Sequence, residues 1–208
     1  MAELPQIASC WGRNALRGLF VVWLAAFIVV GAYLLAPHLL TLPVPDLGDP
    51  VVQRSVAQRL PAQRGRWLVL HVLDQDCVCS LRVLDHLLAS PRPAEVAERV
   101  VLIAAQPDAA RVAAIRARGF DLDLVTPAQL GARYHVEAAP LLVVVDPADA
   151  IRYLGGYTPR KQASDVRDAL IIATTRRGER VAPLPTFGCA VGAALRTAID
   201  PLSIRRWN

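Results

Sequence analysis

Residues 66–80 read RWLVLHVLDQDCVCS, an apolar run that ends in a polar turn and two cysteines. From Arg66 to Leu73 the run has strand length and no polar alternation, the pattern of a strand covered on both faces. After the turn, Leu81, Leu84, Leu87 and Leu88 recur at helical spacing until Pro91 and Pro93 stop the pattern. The cysteines therefore stand at a strand-to-helix junction, with Cys77 at or just before the first helical turn. A thiol there meets free N–H groups and the positive end of the helix dipole, which favour the reactive thiolate. Asp74 and Asp76 oppose this, because nearby negative charge disfavours a second anion. The balance predicts moderate activation, raised if Arg82 folds back toward the sulfur.

Outward from this junction, strands and helices alternate. Residues 50–60 carry Val51, Val52, Val56 and Leu60 at helical spacing, and Pro61 stops them. Val100 to Ala105 is a second buried strand. Asp108 caps a helix that Gly119 ends, residues 120–126 form a third strand, and Thr126 and Pro127 open a helix to Tyr134. Pro140 precedes the strand 141–145, and Asp146-Pro147 turns the chain into a returning strand, 151–154, that ends at Gly155-Gly156. A helix from about Arg160 to Thr174 follows, then a proline-rich stretch, and a short apolar helix from Ala190 to Ile199. This order predicts an α/β fold with parallel pairing and right-handed crossovers, to which the final hairpin adds antiparallel edge strands.

The hydrophobic content is 54%, and one segment explains much of it. Gly18 to Leu42 has no charged residue, and Leu19 to Ala36 is almost wholly apolar. That length crosses a hydrocarbon layer of roughly 30 Å as a helix. Trp23 and Tyr33 lie toward its two ends, and Pro37 is expected to end or kink it. Arg13 and Arg17 precede the segment, whereas Asp46 and Asp49 follow it with no basic residue before Arg54. The positive-inside rule then gives a cytoplasmic N-terminus (1–17), a transmembrane helix (18–40), a stiff linker (41–50), and an extracytoplasmic domain. A cleaved signal peptide is the rival reading, disfavoured by the long apolar stretch and a poor cleavage pattern.

The order of elements over residues 50–175 resembles the thioredoxin-like superfamily, in particular its membrane-anchored TlpA/ResA-like branch. The apolar strand running into DCVCS carries the resemblance. So do YHVEAAP, which puts Pro140 where that family has a cis-proline, and LLVVVDPADAIRYLGGY, which resembles its hairpin. The resemblance implies a central mixed sheet flanked by helices over 51–175, a C-terminal extension over 176–208, and thiol–disulfide oxidoreductase chemistry at Cys77, Cys79 and Pro140. It departs from the family at the motif. Cys77 takes the first cysteine position, Ser80 takes the second, and Cys79 is an extra thiol between them, which makes this a Cys-x-Cys-Ser subfamily. The expected setting is a bacterial inner membrane, with the domain in the periplasm or another extracytoplasmic space and envelope protein thiols or disulfides as partners.

Three pairings for Cys77 remain open from sequence. A Cys77–Cys79 disulfide closes a small ring that is hard to form on a helix. Cys189 would staple the C-terminal segment to the site or resolve an intermediate. A mixed disulfide with a partner is the third, since Ser80 cannot resolve it. Cys10 is placed across the membrane from the others. No resident cofactor is expected on the redox reading. On the alternative of copper handling, Cys77, Cys79 and Cys189 with His135 are the candidate ligands. A non-catalytic envelope scaffold with structural cysteines is a further alternative.

Other classes lack support. The net charge is +5, almost all of it arginine, and aromatics are only 6% and scattered, so no basic stripe with stacking rings marks a nucleic-acid partner. The one distinctly basic stretch begins at Arg176 and suits either lipid headgroups or a solvated tail. His71 reads as a core histidine, Asp121 and Asp123 as solvent-facing strand residues, and Glu137 as an exposed loop acid.

Overall fold

The computed structural model describes residues 7–39, 41–161 and 163–200. Residues 1–6 of the expected cytoplasmic segment, Leu40 at the end of the expected span, and Arg205 and Arg206 of the basic tail lie outside the described residues. The chain divides into two units, Met1–Leu40 and Thr41–Asn208.

The first unit is the helix α1 (Ile7–Leu39). It runs through Pro37 rather than ending there. Its stretch Asn14–Leu35 is 22 residues long with a mean hydropathy of 2.5, long and apolar enough to cross a membrane. Phe20, Trp23 and Phe27 lie near one another on successive turns and are exposed.

The second unit contains α2 (Pro50–Ala57), β1 (Trp67–Asp74), α3 (Val78–Ala89), β2 (Val96–Ile103), α4 (Ala109–Ala117), β3 (Asp121–Val125) and α5 (Pro127–Tyr134). There follow β4 (Ala138–Ala139), β5 (Leu141–Val145), β6 (Ile151–Gly155), α6 (Asp168–Arg176), β7 (Cys189–Ala190) and α7 (Ala193–Ile199). The main sheet has the order β3-β2-β1-β5-β6. β1, β2 and β3 are parallel, and β5 and β6 are antiparallel. Of the hairpin expected at the edge, only β6 is an edge strand; β5 lies inside, paired to β1.

The alternation of side chains along β1 explains its continuous apolarity. Leu68, Leu70 and Val72 face a core shared with Val56, Leu130 and Tyr134. Val69 and Leu73 face the opposite core, with Leu84, Leu87, Ile115, Ile171 and Ile172. Helices therefore cover both faces, and the sheet has no solvent side at its centre.

Several boundaries depart from the sequence reading. β2 starts at Val96 rather than Val100, because Trp67 pairs with Val96 and the charged residues Glu98 and Arg99 are buried within the strand. The helix expected from Arg160 begins only at Asp168. Residues 160–161 and 163–167 are instead non-helical, and Arg167 N donates to Tyr157 O at 3.0 Å. The helix expected over Ala190–Ile199 begins at Ala193, after β7. Residues 41–49, expected as a linker, are docked: Leu42 N donates to Thr186 O at 2.9 Å, and Val44 packs on the core.

Asp168 explains where α6 starts. It is fully buried, accepts from Arg92 at 2.7 Å, and lies 2.9 Å from His86 Nε2. Arg92 also donates to Glu98 at 2.8 Å, and Glu98 lies 3.3 Å from His71 Nε2, whose Nδ1 is 2.9 Å from the Tyr157 hydroxyl. His71 is thus a partnered core histidine. Burial raises the Glu98 and Asp168 carboxyls, but Arg92 and the histidines outweigh it and hold both below their ordinary values.

Both carboxylates therefore contribute stability that is present above their unfolded pKa and lost as pH falls through the lower folded values. Arg92→Leu strands the two buried acids. Denaturant unfolding at neutral pH is expected to show a loss of about 3–5 kcal/mol, shrinking toward acid pH as the carboxyls protonate.

Candidate thiol site

Cys77 is the N-cap of α3, with extended backbone (φ −100°, ψ 116°). The turn that carries it is set by Asp74, whose carbonyl accepts from Cys77 N at 3.2 Å and whose carboxylate accepts from Asp76 N at 3.1 Å. Cys77 stands three residues beyond the end of β1 and opens α3, so the Ser80 and Cys79 amides of the first helical turn help to lower its pKa.

Two further thiols act on the same sulfur, Cys79 from α3 and Cys189 from the C-terminal segment. β7 delivers Cys189 by pairing antiparallel with β4, so that Cys189 stands opposite Ala139 and Ala190 opposite Ala138. The Ala139–Pro140 peptide is cis, and the Ala139 carbonyl oxygen lies 3.9 Å from Cys77 Sγ. The site is thus assembled from α3, the turn before β5, and the tail, with all three of these thiols free.

The electrostatics separate the thiols. The Cys189 thiol, then the Cys79 thiol, donate to Cys77 and hold its pKa well below the ordinary thiol value; burial opposes this, and the two backbone amides add to it. Cys79 and Cys189 are pushed up in turn, first by donating to the Cys77 thiolate and then by burial. Burial pushes Asp74 up to about 6, with the neighbouring Cys77 charge adding to the rise. The lowering of Cys77 by the two thiols runs against the limiting effect expected from Asp74 and Asp76. Arg82 lies on the side of Cys79. It is exposed and acts on Cys79, with which it lines a recess of about 40 Å³ bordered by Pro140, Tyr157 and Phe187.

Ser80 is buried, and its hydroxyl has no hydrogen-bond partner. His135 does not join the thiols. It caps α5 in a left-handed conformation (φ 52°), is about half exposed, and lies 2.7 Å from Asp49. Among the described residues, no group of three or more Cys, His, Asp or Glu side chains has the arrangement of a metal site. Glu137 is an exposed loop acid as expected, yet its carbonyl accepts from Val191 N at 2.6 Å and Gly192 N at 3.0 Å, which sequence reasoning missed. The glycines at 188 and 192, flanking the cysteine in FGCAVG, were the available signal for a close approach of backbones. Asp121 accepts from Gln63, and Asp123 from Arg133 and Tyr134, so both serve surface packing.

A parallel β1-β2-β3 block joined to an antiparallel hairpin, a cysteine at the junction of the central strand with its helix, and a cis-proline facing that cysteine decide the architecture. The domain has a thioredoxin-like fold. No family model matches the chain, and no curated protein matches it. Among solved structures it is similar to an uncharacterized conserved protein from Geobacillus kaustophilus, at 14% identity and a TM-score of 0.47, over 62% of this chain and 78% of that one. It is also similar to a secreted disulfide oxidoreductase of Mycobacterium tuberculosis, at 16% identity and a TM-score of 0.37, over 56% of this chain and 84% of that one. StoA from Bacillus subtilis matches at 17% identity and a TM-score of 0.29, over 44% and 73%. These likenesses are distant, and the assignment rests on the chain's own strand order and site geometry.

A thiolate held by donors should titrate far below the ordinary thiol range. The ultraviolet thiolate absorbance of the reduced protein is expected to persist into acid pH and to vanish in Cys77→Ser. Its loss on acidification is expected at higher pH in Cys189→Ala, and to a smaller degree in Cys79→Ala, following the order in which the two thiols stabilise it.

Proposed function

We propose that the protein is a membrane-anchored, extracytoplasmic thiol–disulfide oxidoreductase in which Cys77 is the nucleophile and Cys189 the resolving thiol. The observation that carries this reading is the placement of a buried cysteine, Cys77, at the start of α3, with Cys189 brought by β7 to the position opposite Ala139, whose carbonyl lies 3.9 Å from Cys77 Sγ. A structural staple gains nothing from a stabilised thiolate, whereas an attacking sulfur requires one.

The chemistry balances with these residues alone. The Cys77 thiolate attacks one sulfur of a partner disulfide, the S–S bond breaks, and the first partner thiolate leaves and takes a proton from water. A mixed disulfide now joins Cys77 to the partner. Cys189 attacks the Cys77 sulfur, its proton passes to the second departing thiolate, and a Cys77–Cys189 disulfide remains. The partner has gained two electrons from the protein, one proton from Cys189 and one from water. The reverse sequence oxidises a partner dithiol, and the direction follows from the relative reduction potentials.

Cys189 is favoured over Cys79 as the resolver for a geometric reason. Cys79 lies only two residues from Cys77, so a disulfide between them closes a small ring in which the dihedral near 90° is hard to reach. Cys189 approaches from a separate strand and carries no such restriction. The Ala139 carbonyl, 3.9 Å from the Cys77 sulfur, immediately precedes the cis-proline Pro140. Ser80, at the fourth position of the motif, cannot act as a resolving thiol.

The extracytoplasmic, inner-membrane setting is supported by the apolar length of α1, by Arg13 and Arg17 before it, and by Asp46 and Asp49 after it. Envelope proteins with thiols or disulfides are the partner class that fits this placement.

Trapping tests the proposal. Cys189→Ala is expected to accumulate a mixed disulfide with a disulfide-bonded test peptide, Cys79→Ala to turn over close to wild type, and Cys77→Ser to form no adduct. An adduct that persists in Cys77→Ser, or that accumulates in Cys79→Ala instead, contradicts the assignment.

A further inference from the structure

Cys77 is 1% exposed, and part of what covers it is the chain's own tail. β7 takes up the main-chain edge of β4, and Val191 N and Gly192 N extend the pairing to Glu137 O. The Ala139 carbonyl in this edge is the one 3.9 Å from Cys77 Sγ. The backbone bordering the thiol is therefore already occupied by residues 188–192.

The fit is close. A Cβ on Gly188 would fall 1.9 Å from the Ala139 oxygen, so only glycine passes this point while the pairing is kept. Upstream, Thr186 O accepts from Leu42 N, and Leu184 O accepts from Gly156 N at 2.8 Å. The seating is short and imperfect as well as close. β7 has two residues, α7 has no buried side chain, and the Thr186 hydroxyl is buried with no hydrogen-bond partner. Few cooperative bonds and an unpaired buried hydroxyl are the marks of a segment that opens below the cost of global unfolding. Val191, which is 1% exposed in the core, pulls the segment back.

We infer that residues 186–192 are an internal strap, and that the site receives an extended polypeptide segment that replaces β7 on the edge of β4. Free main-chain donors and acceptors on a strand edge are a general means of holding an extended chain. Partner and strap compete for the same groups. A seated partner takes Cys189 away from Cys77 and uncovers the nucleophile. Release of the partner strand lets β7 reseat and brings Cys189 back to resolve the mixed disulfide. A partner following the path of β7 needs glycine just before the residue opposite Ala139. The chemical steps rest on the exchange reading above; the opening of the strap does not.

The test is the alkylation rate of each cysteine in the reduced full-length chain in detergent micelles, read by mass mapping with iodoacetamide. Gly188→Val forces a side chain into the Ala139 carbonyl and is expected to raise the Cys77 rate by about tenfold or more, with Cys79 little changed. Leu42→Pro removes the donor to Thr186 and is expected to shift Cys77 in the same direction by less. A peptide of residues 185–192 with serine at the cysteine position is expected to protect Cys77 again in Gly188→Val, and the same peptide with valine at the glycine position is not. A folded Gly188→Val protein with unchanged Cys77 reactivity overturns the strap. If both variants unfold, hydrogen exchange of the wild type decides: Val191 and Gly192 amides are expected to exchange about tenfold or more faster than those of β1, and equal protection overturns the inference. An exposed Cys77 with no disulfide exchange would sink the exchange reading and leave the strap standing.

Discussion

The pairing of β7 with β4 is the contact on which the site depends. Two residues of strand bring a thiol from position 189 to a sulfur at position 77, across more than half of the domain's chain. They do so at the turn before Pro140, where the backbone already faces the end of β1 and the start of α3. Gly188 makes the approach possible, because any Cβ there would strike the Ala139 carbonyl. Without this pairing the five-stranded sheet keeps its own ladders, but the first core cluster loses Val191 and Cys189 no longer stands beside Cys77.

Burial and activation are reconciled at Cys77 in the same way. A buried anion is costly, and desolvation alone would raise the thiol pKa. Contact donors on several sides of the sulfur reverse the sign. The cost is transferred to the neighbours, since Cys79 and Cys189 are held protonated and Asp74 is raised to about 6. Away from the thiols, the core handles charge by pairing opposites. Arg92 stands between Glu98 and Asp168, with His71 and His86 at the ends, and this network ties α6 and the segment after α3 to β2.

Much of the fold was legible in the sequence because it follows from local periodicity. The run Arg66–Leu73 announces a strand covered on both faces, the caps at Asp108 and Thr126 mark their helices, and Pro140 and the two cysteines mark the junctions. The misses have particular causes. The first half of β2 carries Glu98 and Arg99, whose charges hide a strand that tertiary partners make acceptable. The start of α6 is fixed by Asp168 binding Arg92 and His86, contacts that no local pattern reveals. β7 is too short for any periodicity, and its partner lies about fifty residues earlier in the chain. For the site, Cys77 could be placed at a helix start from sequence. The identity of the thiols around it, and the strength of their effect, needed the long-range pairing.

If Cys77 and Cys189 form one reversible redox pair, equilibrating the full-length chain in glutathione buffers of graded potential, then trapping and mapping its disulfides, will reveal it. A single Cys77–Cys189 bond is expected to form and break reversibly across the series, with Cys79 remaining alkylatable throughout. A bond between Cys77 and Cys79, or a Cys77–Cys189 bond that resists every reducing mixture, would contradict it.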